Sequence, residues 1–160
     1  MTKRERFNKV FPILEIKFQK PITALDYKTP YQLLIAVILS AQCTDVRVNI
    51  VTKELYKVVK GPEDLANMSI KEIERYIKST GFYRNKAKHI KECSMQIIEN
   101  YDGIVPSSME ELTKLSGIGR KSANVIMLEA FNNCQGIAVD THALRISNRL
   151  GLSKENEASK

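Results

Sequence analysis

Lys121 and Asp140 are the two residues in this chain whose types and surroundings could do covalent chemistry. Lys121 follows Leu115-Ser116-Gly117-Ile118-Gly119-Arg120 and stands before Ser122-Ala123-Asn124, while Asp140 opens Asp140-Thr141-His142 about twenty positions on. Two glycines around one apolar residue, between two helix-like segments, let the backbone turn tightly and bring its N–H groups close to a bulky anion, which is a phosphate clamp. An amine at the start of the helix after that clamp can attack a sugar carbon once it is neutral. The helix N-terminus and the neighbouring Arg120 both disfavour the ammonium form, whereas a lysine that only contacts phosphate is the plainer reading. A carboxylate at Asp140 can stabilise positive charge on a sugar as its base leaves, and it can equally be an ordinary helix cap; the two roles are compatible.

These residues must be held by helices. Phe7, Val10, Phe11, Leu14 and Phe18 recur at spacings of three and four, so the N-terminus reads as an amphipathic helix kinked or broken at Pro12. Thr29 caps a helix beginning at Pro30, and the all-apolar run Leu33 to Leu39 marks it as buried and central. A helix from about Asp45 to Val59 stops near Gly61-Pro62. Ser69 and Glu72 have capping-box spacing ahead of a helix ending at Gly81, and another runs from about Asn85 to Asn100. Ser107 and Glu110 repeat the capping-box signal before a further helix; Arg120 to Phe131 and Thr141 to Leu150 follow, the last ended by Gly151. No segment alternates like a strand, so the fold class is all-α, and the polar tail Ser153 to Lys160 is expected to fray.

At 160 residues the chain is long enough for one well-buried core, and its net charge of +7 favours a polyanionic partner such as nucleic acid. No leading or long uncharged apolar run is present, which predicts an intracellular, cytoplasmic protein, nucleoid-associated if bacterial, with no membrane partner. Cys43, Cys93 and Cys134 are odd in number and far apart, which fits neither a disulfide framework nor close metal-ligand spacing. They read as reduced, structural thiols. Paired-histidine metal motifs, nucleotide-binding glycine loops and Gly-x-Ser-x-Gly elbows are absent from the sequence.

Taken together with Leu39-Ser40-Ala41-Gln42-Cys43-Thr44-Asp45, Gly81-Phe82-Tyr83 with Lys86-Ala87, and Asn100-Tyr101-Asp102-Gly103-Ile104-Val105-Pro106, the Leu115–Asn124 and Ala138–His142 stretches resemble the endonuclease III branch of the helix-hairpin-helix DNA glycosylase superfamily, over roughly residues 20 to 150. The resemblance implies a six-helix barrel domain at 22–133, with the helix-hairpin-helix at about 108–131, and a partial second lobe from 1–21 and 134–160. It implies catalytic roles for Lys121 and Asp140. It also implies that Leu115, Gly117, Ile118, Gly119, Arg120 and Ser122 bind DNA phosphate without reading sequence, and that Gln42 and Phe82 enter the duplex to fill the space of an extruded nucleotide. Phe82 departs from the family's usual leucine and is as readily a core residue; Asp45 is a pocket residue or a helix cap; His142 is given no catalytic role.

The family's four-cysteine iron–sulfur cluster lacks its closely spaced quartet here, so no cofactor is expected in this chain. The chain stops where the family would continue, as a C-terminally truncated product, a fragment or a cluster-less variant would. The implied activity is base-excision repair: removal of oxidised pyrimidines from double-stranded DNA, then nicking 3′ to the abasic site by β-elimination through a lysine Schiff base. A DNA-binding fragment with little catalysis is the first alternative, and a monofunctional mismatch or adenine glycosylase the second. The apolar stripe of the N-terminal helix has no evident partner, so self-association through it is expected.

Overall fold

The computed structural model describes residues 1–19 and 22–157. Among them the regular structure is entirely helical: α1 (Lys3–Lys17), α2 (Pro30–Ser40), α3 (Asp45–Val58), α4 (Pro62–Asn67), α5 (Ile70–Ile77), a 3₁₀ turn at Lys78–Thr80, α6 (Tyr83–Tyr101), α7 (Met109–Leu112), α8 (Arg120–Phe131) and α9 (Thr141–Arg149). The chain divides into two bodies, one of residues Ala24–Gly136 and one formed by Met1–Thr23 with Ile137–Lys160.

In the larger body everything is arranged about α2. Thr29 Oγ1 accepts the Gln32 N–H at 3.2 Å and Pro30 takes the first helical position, where its missing donor costs nothing. Every residue from Tyr31 to Leu39 is buried, and α3, α6 and α8 pack around them. The polar groups that this burial takes along are satisfied. Tyr31 Oη and Ser94 Oγ lie 2.6 Å apart, and the Tyr56 hydroxyl donates to the Gln32 carbonyl at 2.6 Å. Burial pushes both phenols well above their ordinary range.

Several boundaries depart from the sequence reading for local reasons. The capping residue before the hairpin is Ser108, not Ser107: its hydroxyl accepts the Glu111 N–H at 3.2 Å and donates to the Glu111 carboxylate at 2.7 Å. The helix it starts, α7, is a single turn rather than a full hairpin arm. Helix α4 was not anticipated, although Pro62 at its first position and Asp64 accepting the Lys60 and Gly61 N–H groups are ordinary start signals. Thr44, not Asp45, caps α3.

The smaller body is built differently. Thr2 and Glu5 form a capping box at the start of α1, which continues unbroken through Pro12. The ring leaves the Asn8 carbonyl without its helical donor, a loss that water can make good because Asn8 is exposed. No residue of α1 or α9 is buried, and Phe7 stacks on Phe11 with centroids 4.8 Å apart. Past α9 the chain is tied down further than expected of a frayed tail: the Leu152 N–H donates to Ser147 O at 2.9 Å, and Asn148 Nδ2 donates to Glu155 O at 2.8 Å. Residues 158–160 of that expected tail lie outside the described residues.

Candidate nucleic-acid interface

The turn between α7 and α8 is held from beneath by one face of α6. Gln96 Oε1 accepts the Ser116 N–H at 2.7 Å, the Ser116 hydroxyl donates to Glu92 Oε2 at 2.8 Å, and His89 Nδ1 lies 2.9 Å from the same hydroxyl. Gly117 has φ +80, and a Cβ there would meet His89 Cβ at 3.0 Å and Ile38 Cγ2 at 3.4 Å, so both conformation and space require glycine. Gly119 differs. It caps α8 with φ −93, and a Cβ would meet nothing within 4 Å, so its surroundings are open. The Leu115 and Ile118 side chains are buried, at 3% and 5% exposure, which leaves only their backbone to face a ligand. What this turn offers outward is the first turn of a 12-residue helix, with N–H groups that have no acceptor inside the helix and a partial positive charge.

Arg120 and Lys121 are the first two residues of α8, and both are exposed; Ser122 is half-buried. The helix places a cation pair directly after the open backbone, the arrangement the sequence implied. Asp140 lies in the other body, where its Oδ1 accepts the Ala143 N–H at 2.8 Å and caps α9. The carboxylate is thereby fixed in one orientation. His142 pairs instead with Arg145, its Nδ1 lying 3.0 Å from the guanidinium.

Gln42 and Phe82 share an unusual backbone. Both are exposed, and both are non-glycine residues in the left-handed region, with φ +52 and +47. Phe82 is 67% exposed at the N-cap position of α6, which removes the core reading of this ring. Each residue follows a helix end that Lys86 closes. The Lys86 ammonium is buried, donating to the Leu39 carbonyl at 2.8 Å, near the end of α2, and to the Thr80 carbonyl at 2.7 Å, at the end of the 3₁₀ turn. Burial lowers the pKa of this lysine, and the Cys43 thiol acts in the opposite sense. Beside Phe82, the Arg84 guanidinium lies 5.7 Å from the centre of the Tyr83 ring.

Residues 35–160 match the family described as HhH-GPD superfamily base excision DNA repair protein. The endonuclease III of Synechocystis sp. is 47% identical over 156 residues, covering 98% of this chain and 71% of that protein. The chain belongs to the HhH-GPD superfamily, on its endonuclease III branch. The endonuclease III of Bacillus subtilis is 51% identical over 130 residues, covering 81% of this chain and 59% of that protein. Among solved structures, a trapped endonuclease III–DNA covalent intermediate superposes with a TM-score of 0.92 at 41% identity, covering 98% of this chain and 73% of that one.

The cysteines of this HhH-GPD chain do not fit an iron–sulfur cluster of the kind that four closely spaced thiolates would hold. Cys93 is buried in the α6 core, Cys43 is half-buried and Cys134 is exposed. Among the described residues no group of three or more His, Cys, Asp or Glu could hold a metal ion. Nor is any helix among them long and apolar enough to cross a membrane.

Two features of this HhH-GPD site were missed from the sequence. The spacing of His89, Glu92 and Gln96, at i, i+3 and i+7, marks one face of α6 and could have been found. The double carbonyl contact of Lys86 could not, since its acceptors are 47 and 6 positions away.

Proposed function

We propose that this chain is a base-excision repair DNA glycosylase with abasic-site lyase activity, acting on damaged pyrimidines in double-stranded DNA, with Lys121 as nucleophile. The observation that carries the reading is an exposed lysine at the second position of α8, the helix that starts directly after the open backbone of Gly119, in a chain of the endonuclease III branch. The α8 N-terminus and the turn bind phosphate; Arg120 and Ser122 add donors there. The Lys121 amine, once neutral, forms a bond to C1′ of the damaged nucleotide as the C1′–base bond breaks and the base departs with a proton. Ring opening gives an imine, loss of a C2′ proton expels the 3′ phosphate, and hydrolysis frees the lysine. Asp140 stabilises the positive charge that develops on the sugar and relays protons during attack, while keeping its place as the cap of α9. Gln42 and Phe82 fill the gap in the duplex. Residues 22–133 serve as the family's barrel domain and 1–21 with 134–160 as a partial second lobe, inside the cell; the exposed apolar side chains of α1 support self-association of the chain.

The test is covalent. Borohydride reduction of the imine should trap the chain on an oligonucleotide carrying an abasic site, and Lys121→Gln should remove the trapped species altogether. Undiminished trapping in that variant ends the assignment, and base release without trapping in the parent chain makes it a monofunctional glycosylase.

A further inference from the structure

Lys86 is a residue that the proposed chemistry does not use, yet its contacts are specific. The residue is 4% exposed, and its ammonium takes as acceptors two backbone carbonyls from separate elements, Leu39 in α2 and Thr80 in the 3₁₀ turn. Both carbonyls lie at helix ends, where the helix supplies no donor: the Cys43 N–H, four residues past Leu39, goes to Ser40 O instead. Three residues after the first carbonyl the chain turns to positive φ at Gln42, and after the second it does so at once, at Gly81 and then Phe82. One buried cation therefore ties together the helix ends from which two exposed turns leave. Leu39 and Thr80 are themselves buried, so water does not reach these carbonyls; Lys86 satisfies both at the cost of burying a charge, and in doing so joins the two helix ends through one side chain.

We propose that Lys86 is a positioning residue that locks the Gln42 and Phe82 turns at one fixed spacing, so that both side chains enter the duplex together on either side of the extruded nucleotide. This rests on the reading of Gln42 and Phe82 as the duplex-entering residues. The phosphate-binding turn is held separately, by His89, Glu92 and Gln96, so the lock on the wedges and the grip on the backbone are independent.

The experiment reads extrusion and binding on the same complex. A duplex carrying 2-aminopurine opposite an uncleavable abasic-site analogue brightens when that base is unstacked. The parent chain should give a rise at saturation, and Gln42→Ala and Phe82→Ala should each cut it. Lys86→Met, which keeps an unbranched side chain one atom shorter and removes the charge, should bind with unchanged affinity while the rise at saturation falls several-fold. Affinity and rise lost in proportion would overturn the inference, since Lys86 would then serve the fold as a whole; so would a full rise in Lys86→Met. If neither Lys86→Met nor Lys86→Gln folds, the residue is structural and the positioning role is likewise overturned. A rise that Gln42→Ala and Phe82→Ala leave untouched, or no rise in the parent chain, removes the duplex-entering reading itself, a failure distinguishable from that of Lys86.

Discussion

Helix α2 is 11 residues long and buries nine of them, whereas α1 is 15 residues long and buries none. Both begin with a threonine cap that satisfies an early N–H group, so capping does not separate them. What separates them is what lies alongside. Around α2, Leu55, Ile73, Ile90, Ile97 and Ile126 are fully buried from four other helices, and the 24–136 body closes on itself. In α1 and at its C-cap, Phe7, Phe11, Leu14 and Phe18 remain between 41% and 57% exposed. A cap marks where a helix starts and is worth about 1 kcal/mol; burial of its apolar stripe decides how much its loss would cost. Burying one such side chain fully is worth about 1.5–3 kcal/mol, and about half of that is unrealised along this stripe.

The contrast is sharpest in stability. Ile35→Ala, at a position with no exposure, should cost about 2–5 kcal/mol in denaturant melts, while Phe11→Ala should cost under about 1 kcal/mol, chiefly its stacking on Phe7. Equal costs would show that α1 is as much a part of the folded core as α2.

Asp140 tests whether the smaller body takes part in chemistry. Asparagine caps a helix as well as aspartate, so Asp140→Asn should leave the melt unchanged while slowing abasic-site trapping about 10²–10³-fold, the scale of losing one charge-stabilising group. Unslowed trapping would reduce Asp140 to its cap.

The two hairpin glycines divide the same way within the larger body. Gly117→Ala forces a side chain into the left-handed region and against His89, and should destabilise by about 1–2 kcal/mol. Gly119→Ala meets open space, so stability should hold within about 0.5 kcal/mol while affinity for duplex at low salt falls. Binding unaffected by the second change would move the phosphate contact elsewhere.

The smallest effect is chemical. Burial pushes the Cys93 thiol up to about 12, so near pH 8 it carries almost no thiolate and should react with a thiol reagent only on unfolding. Cys134 is exposed and should react at once, with half-buried Cys43 between them. Rapid labelling of Cys93 in the folded chain would contradict the closed core of the larger body.

The sequence was most legible where local chemistry alone decides the outcome. Thr29-Pro30, Ser69 with Glu72, and the Gly-flanked turn before Arg120 are complete signals within four or five residues, and the helices start where they indicate. Ser107 and Ser108 offer the same hydroxyl one residue apart, with Glu110 and Glu111 as matching partners, so the local signal does not choose between them; Ser108 is the cap. Phe82 is ambiguous in sequence because an aromatic residue beside a glycine fits a core as well as a tip; its exposure resolves the matter, and the positive φ beneath it is signalled by no residue type outside glycine, asparagine and aspartate. The Lys86 contacts depend on two carbonyls brought near by the fold, which side-chain identities do not encode.

The left-handed backbone at Phe82 bears on the speed of search. A tip that had to rearrange before entering DNA would add a loop motion, on the nanosecond-to-microsecond scale, to the testing of every base pair. Here the ring is already 67% exposed and its turn is already set in the unbound chain. In its proposed role such a probe needs no rearrangement of its own, so the time spent at each base pair is governed by how readily that pair opens. A weakened pair opens sooner, and sliding along DNA then becomes a kinetic filter for damage before any pocket is reached.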